Sequence, residues 1–298
     1  MTKVKGFGRI LTAMVTPMKE NGEVNYEEAG KLACHLVETG SEGIVVAGTT
    51  GESPVLSVEE KCQLFKAVKD AVSGKAAVIA GTGSNNTAAS IELTKQAEKV
   101  GCDGIMLVTP YYNKPSQEGL YQHFRAIAQE TSLPVILYNV PGRTSLNMLP
   151  GTVARLAEIE NIVAVKEASG SLDQVAEIKR TTPDDFLIYS GDDSITLPML
   201  SVGGYGVISV AAHLVGKMIE EMVTSFVTGK VKAAREMHLR LFPLYKVLFI
   251  TANPVPVKAA LELIGIKAGA PRLPLVPATE QEIDAIKKVM GDLGLFLP

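Results

Sequence analysis

Eight short, nearly continuous apolar runs recur along this chain at residues 9–16, 43–48, 77–81, 104–109, 135–139, 162–166, 186–190 and 207–210. Each is separated from the next by a stretch long enough for a helix, and none is joined to its neighbour by a hairpin-length turn. Apolar runs of four to eight residues with this much Val and Ile are strands buried on both faces. Strands separated by helix-length crossovers run parallel, because only such a connection returns the chain to the same end of the sheet. Eight consecutive units predict an α/β fold, a (β/α)8 barrel over residues 1–230. An open doubly wound sheet shares the alternation. However, the GTGSNN turn at 81–86 lacks the third glycine of a dinucleotide fingerprint, and no acid suited to a ribose follows it.

Helix punctuation agrees with this division. Asn25 is placed to cap a helix ending at Gly40, and Ser57 with Glu60 forms the spacing of a capping box. Further amphipathic helices are predicted at 117–129 and 214–228. Beyond Val231 the strand signal stops, and 231–249, 254–264 and 279–293 read as three helices of a C-terminal region, 231–298. Pro254, Pro256, Pro271, Pro274 and Pro277 fall in or beside the connections between them.

Several function classes are disfavoured by composition. A net charge of -3 over 298 residues offers no electrostatic footprint for nucleic acid. No apolar run approaches the ~20 residues of a membrane span, and residues 1–8 lack the apolar core of a secretory signal, so a cytoplasmic protein is expected. The three cysteines occur singly and the four histidines are scattered, so neither a redox pair nor a zinc site is expected.

In a parallel barrel the site lies at the carboxyl ends of the strands. There the second run ends in GTTGE (48–52), the fourth in TPYY (109–112), the fifth in Tyr138-Asn139 followed by Pro141-Gly142-Arg143, and the sixth in Lys166. Lys166 closes a buried run, and burial favours the neutral amine, a nucleophile toward carbonyl carbon. A strand-end lysine reaching water along its stem fits the same position. Tyr138 ends the neighbouring strand and could shuttle protons for such an amine, or simply fill the barrel mouth. Thr49 and Thr50, between glycines, offer hydroxyls and amides to a carboxylate, or form an ordinary turn. Arg143 could grip a second carboxylate bidentately, or be a solvated loop residue. Asp192 and Asp193 after the seventh run disfavour a phosphorylated substrate. With Glu52 they could hold magnesium, but they lack ligand spacing, and capping the next helix is their simpler use. The GGYG run at 203–206 resembles a phosphate loop but precedes the eighth strand, which places it on the opposite face.

GTTGE at 48–52, PYYNKPSQEGLYQHF at 110–124, ILYNVPGRT at 136–144, VKEASG at 165–170 and NPVPVKAAL at 253–261 together resemble the dihydrodipicolinate synthase family, along nearly the whole chain. The resemblance implies a lyase that condenses pyruvate with L-aspartate 4-semialdehyde on the diaminopimelate route to lysine, without cofactor or metal. It implies Lys166 as the Schiff-base amine and Tyr138, Thr49 and Tyr112 as the proton relay, with Tyr112 supplied across a dimer. Thr50 and the Thr49 amide would hold the pyruvate carboxylate and Arg143 the semialdehyde carboxylate. Gly191 and the Ile208 backbone would line the pocket. A homotetramer, a dimer of dimers, is implied as the assembly. The alternative within the superfamily is another pyruvate aldolase, acting on N-acetylneuraminate or a 2-keto-3-deoxy sugar acid; the loop carrying Arg143 separates the two. At the family's lysine feedback site Ser53, Asn85 and Tyr111 fit. Val58, Lys61 and Ala89 depart from the polar and acidic residues of lysine-sensitive members, so weak or absent lysine inhibition is expected.

Overall fold

Side chains alternate along a strand, so in a closed barrel every second residue points into the interior and the others point toward the surrounding helices. The computed structural model describes residues 7–296. Residues 1–6 of the segment read above for a secretory signal lie outside that range. Within it, eight parallel strands close in sequence order into one barrel. The chain runs β1 (Ile10–Ala13), α1 (Tyr26–Glu38), β2 (Gly43–Val46), α2 (Val58–Val72), β3 (Ala77–Gly81), α3 (Thr87–Val100), β4 (Gly104–Val108) and α4 (Gln117–Ala128). It continues β5 (Val135–Asn139), α5 (Pro141–Thr144), α6 (Pro150–Leu156), β6 (Ile162–Glu167), α7 (Leu172–Thr181), β7 (Leu187–Ser190), α8 (Thr196–Ser201), β8 (Gly206–Ser209) and α9 (Ala212–Val227). Three helices follow, α10 (Val231–Val247), α11 (Val255–Leu263) and α12 (Glu280–Asp292).

The alternation produces two apolar cores. Leu11, Val45, Ile79, Met106, Ile136, Ala164, Tyr189 and Ile208 fill the barrel interior. Their strand neighbours, such as Ile44, Val78, Ile105, Leu137 and Val165, pack outward against the helices. The floor of the interior is closed by Phe7 and by Tyr189, whose hydroxyl donates to the Gly8 carbonyl at 2.8 Å. Arg9 stacks 4.3 Å over the Tyr205 ring and donates to its carbonyl. The GGYG run therefore belongs to this floor, opposite the carboxyl ends of the strands.

Local signals explain the helix starts. Asn25 accepts from the Glu28 amide, and the Ser57–Glu60 capping box closes in both directions. The runs at 9–16, 43–48 and 104–109 outlast their strands, because sheet pairing ends before the apolar character does. β6 runs one residue past Lys166, to Glu167, which pairs in register with Asn139.

The C-terminal helices do not stand apart. α10 packs along α9, and α12 against α10 and α11. The segment between α11 and α12 docks on the loop after β1: the Met18 amide donates to the Ala268 carbonyl at 3.0 Å. Gly269 follows at φ +67, and a Cβ there would sit 2.1 Å from the Met18 carbonyl oxygen, so both backbone angle and space require glycine. Among the described residues no helix is long and apolar enough to cross a membrane.

Candidate active site

The β5–β6 ladder sets the centre. Tyr138 and Lys166 are register partners, and Lys166 in turn pairs with Tyr189 of β7. Ala164 lies in the interior core and Val165 outside it, so alternation turns Lys166 inward at the carboxyl end of its strand. Its side chain is buried, with Nζ 4.3 Å from the centroid of the Tyr138 ring. Sequence places phenol and amine close together; the fold brings the amine over the ring face, the electron-rich side of the quadrupole. Gly191, the residue after β7, leaves room for this arrangement. A Cβ on Gly191 would approach Ala168 Cβ to 2.7 Å and Lys166 Cε to 3.2 Å. Ile208, buried in β8, is part of the same interior core.

Glu167 faces away from the interior. Its carboxylate is buried and accepts from Ser169 N, Asn139 Nδ2 and Gln174 Nε2. This pins β5 to β6 one residue beyond the Tyr138–Lys166 pair. Asp192 and Asp193 are also engaged: Asp192 accepts from the Ser194 amide, and Asp193 accepts from the Val210 and Ala211 amides and from the Ser209 hydroxyl. Asp192 caps the short 3₁₀ turn after β7 as expected, whereas Asp193 caps no following helix and joins the end of β7 to the end of β8.

The loop after β2 brings Thr49 and Thr50 to the mouth. Thr49 lines a cavity of about 350 Å³ together with Tyr138, Arg143, Tyr111, Asn253 and Arg272. Thr50 is buried beside it, and its Oγ1 accepts from Asn253 Nδ2 at 2.8 Å. The loop ends at Glu52, held in the left-handed region at φ +58 and buried. Glu52 meets Lys258 of α11 at 2.6 Å, both side chains being at most 2% exposed, and also accepts from the Arg272 amide at 2.8 Å. Burial pulls Lys258 below the ordinary lysine value, an effect the Glu52 charge opposes. Arg272 spans the outer side of the loop, donating to the Val55 and Gly22 carbonyls and pairing with Glu60.

Sequence reasoning assigned no role to Asn253, Lys258 or Arg272. One signal was available: Lys258 stands alone among apolar residues in PVPVKAAL, where a charge must either break the buried face of the helix or find a buried partner. Its partner is 206 positions away in sequence, and nothing local indicates it.

Arg143 sits in α5 with its side chain exposed at the cavity wall. Tyr112 is 91% exposed at φ +73, a left-handed backbone that bulky residues rarely adopt, and lies outside the cavity lining of this chain. The fold thus gathers Tyr138, Thr49 and Arg143 around one cavity, sets Lys166 against Tyr138 and Gly191 against Lys166, keeps Thr50 buried on the Thr49 loop and Ile208 in the interior core, and leaves Tyr112 exposed and outside the lining.

A sequence profile of the Dihydrodipicolinate synthetase family matches residues 6–292. The 4-hydroxy-tetrahydrodipicolinate synthase of Desulforamulus reducens is 62% identical over 291 residues, 97% of this chain and 98% of that protein. The solved dihydrodipicolinate synthase of Cyanidioschyzon merolae with lysine bound superposes with a TM-score of 0.96 at 52% identity, covering 97% of this chain and 99% of that one. A solved chain described as the first monomeric dihydrodipicolinate synthase variant superposes at 0.95 with 43% identity, covering 97% and 98%. With family, fold and full-length similarity in agreement, the chain belongs to the dihydrodipicolinate synthetase family.

Proposed function

We propose that this enzyme condenses pyruvate with L-aspartate 4-semialdehyde to 4-hydroxy-tetrahydrodipicolinate, as a Schiff-base lyase of the diaminopimelate route to lysine. The observation that carries the reading is the in-register Tyr138–Lys166 pair, with a buried amine at the carboxyl end of the barrel. Lys166 attacks C2 of pyruvate and water leaves as the imine forms. Loss of a C3 proton gives the enamine, whose C3 attacks the aldehyde carbon of the second substrate. The amine of that substrate then displaces Lys166 as the ring closes, which frees the enzyme. Water formed in the first step is the only by-product, so the exchange balances.

Tyr138 and Thr49 relay protons to and from the carbinolamine hydroxyl. Thr50 and the Thr49 amide hold the pyruvate carboxylate, and Arg143 binds the carboxylate of the semialdehyde in the fork geometry suited to it. Gly191 and the Ile208 backbone line the pocket. Exposed Tyr112, strained at φ +73, completes the relay in a neighbouring subunit of a dimer, and two dimers form a homotetramer in the cytoplasm. Residues 1–230 form the catalytic barrel and 231–298 a helical region that covers part of its mouth.

Borohydride reduction in the presence of pyruvate tests the chemistry. The expected adduct maps to Lys166; an adduct elsewhere, or none, overturns the mechanism. Turnover of aspartate semialdehyde is expected to exceed that of N-acetylneuraminate or 2-keto-3-deoxygluconate, and the reverse order would move the enzyme to another aldolase class.

A further inference from the structure

The hydroxyl of Thr50 has one proton and two lone pairs, and its surroundings decide which way the proton points. Asn253 Nδ2 donates to Thr50 Oγ1 at 2.8 Å, and no acceptor for the Thr50 proton is found among the described residues. Asn253 is itself buried, and its Oδ1 is a buried carbonyl oxygen without a partner. In this orientation the Asn253 amide gives one N–H to Thr50 Oγ1, and neither its other N–H nor Oδ1 has a partner among the described residues. With one lone pair occupied by Asn253, the Thr50 hydroxyl is left as a donor to an incoming acceptor.

Two further tethers link the same two segments. Lys258 of α11 pairs with Glu52 at 2.6 Å, and the Arg272 amide donates to the other Glu52 oxygen at 2.8 Å. Glu52 is held at φ +58, so the loop that carries both threonines is constrained at Thr50 and again two residues later. Elsewhere the loop is held by the Thr16 hydroxyl, which donates to the Gly51 carbonyl at 2.7 Å, and by turn bonds from Glu52 N to Thr49 O and from Ser53 N to Gly48 O.

We infer that Asn253 is a positioning residue for the pyruvate carboxylate: by donating to Thr50 Oγ1 it turns that hydroxyl outward as a donor, while Lys258 and Glu52 hold the loop in place. The inference rests on the pyruvate reading above and extends it to a residue of the C-terminal region. The charge of the ligand supplies the reason for the device. A carboxylate only accepts hydrogen bonds, so a threonine that spent its proton on a protein carbonyl would meet it lone pair to lone pair.

The test compares Asn253→Asp and Asn253→Ala, alone and with Thr50→Val, by steady-state kinetics and by pyruvate-dependent borohydride trapping at Lys166. Asn253→Asp converts the donor into an acceptor that captures the Thr50 proton and adds a negative charge near the carboxylate. A rise of at least tenfold in KM for pyruvate is expected, with KM for aspartate semialdehyde changed less than threefold. Asn253→Ala should raise KM for pyruvate several-fold, and that effect should vanish in the Thr50→Val background, since there is no hydroxyl left to orient. A general packing defect would not cancel in this way, and circular dichroism and thermal unfolding of each variant verify that it is folded. Equal effects of Asn253→Ala in both backgrounds, or an unchanged KM for pyruvate in Asn253→Asp, overturn the inference. Failure of the wild-type enzyme to trap pyruvate at Lys166 would instead refute the underlying functional reading.

Discussion

Replacing Lys258 with methionine keeps the length of the side chain and removes its charge, which leaves the Glu52 carboxylate buried without a counterion. Both partners are at most 2% exposed and 2.6 Å apart, so water cannot take the place of the missing ammonium. Breaking such a pair from one side costs about 3–5 kcal/mol. Glu52 still accepts from the Arg272 amide, which places the expected loss near the lower end, about 3 kcal/mol. For 298 residues an unfolding entropy of ~2.1 cal/mol/K per residue gives ~0.6 kcal/mol/K, so the melting temperature should fall by about 5 °C. Differential scanning calorimetry and urea titration at one protein concentration measure this. The double variant Lys258→Met/Glu52→Gln removes both charges and should recover most of the loss, because two desolvated ions are replaced by groups that need less solvation. Because the loop carrying Thr49 and Thr50 ends at Glu52, the single variant should also raise KM for pyruvate. A Tm shift below 1 °C for Lys258→Met, or a double variant less stable than the single, would refute the argument that this pair is a mutually dependent buried clamp.

Gly191→Ala introduces a methyl group 2.7 Å from Ala168 Cβ and 3.2 Å from Lys166 Cε. A displaced nucleophile should cost ~10²-fold in kcat while the variant stays folded, read by coupled assay beside circular dichroism; full activity would disprove the contact. Buried His213 accepts from the Val15 amide and donates to the Val210 carbonyl, and burial pulls its pKa down to about 4. Its unfolded value is near ~6.5, so stability is fully present above that pH and is lost as pH falls through the window down to about 4. This one group should account for ~2 kcal/mol of loss between pH 7 and pH 5, measured by urea unfolding, and an NMR titration showing ring protonation near pH 6.5 would contradict it. Lysine inhibition should be weak or absent. Lys61 is partly buried and Val58 exposed where an effector's ammonium would need polar or acidic partners, and an inhibition curve with a clear plateau at micromolar to low-millimolar lysine would overturn this.

The barrel was legible because its signal is repeated. Eight apolar runs and the helices between them each follow local rules, and a boundary error at one leaves the topology intact. β6 ended one residue later than expected because Glu167, polar in sequence, is satisfied by Asn139, Ser169 and Gln174. Tyr138 and Lys166 could be paired in advance because they end consecutive strands, and in a parallel barrel consecutive strands are neighbours. Tyr112 lies in a recognisable motif, yet its exposure in a single chain followed from no local pattern.

By itself, then, the sequence determined the strand count, the position of Lys166 at the carboxyl end of the sixth strand beside Tyr138, and the family. Only the tertiary structure decided that the region after residue 231 reaches back over the mouth, that Asn253 touches Thr50 and that Lys258 neutralises Glu52. The reason is physical. Periodicity and capping are written within a few residues of where they act, whereas a buried charge or amide is satisfied by whatever group packing brings to it, here from more than 200 positions away.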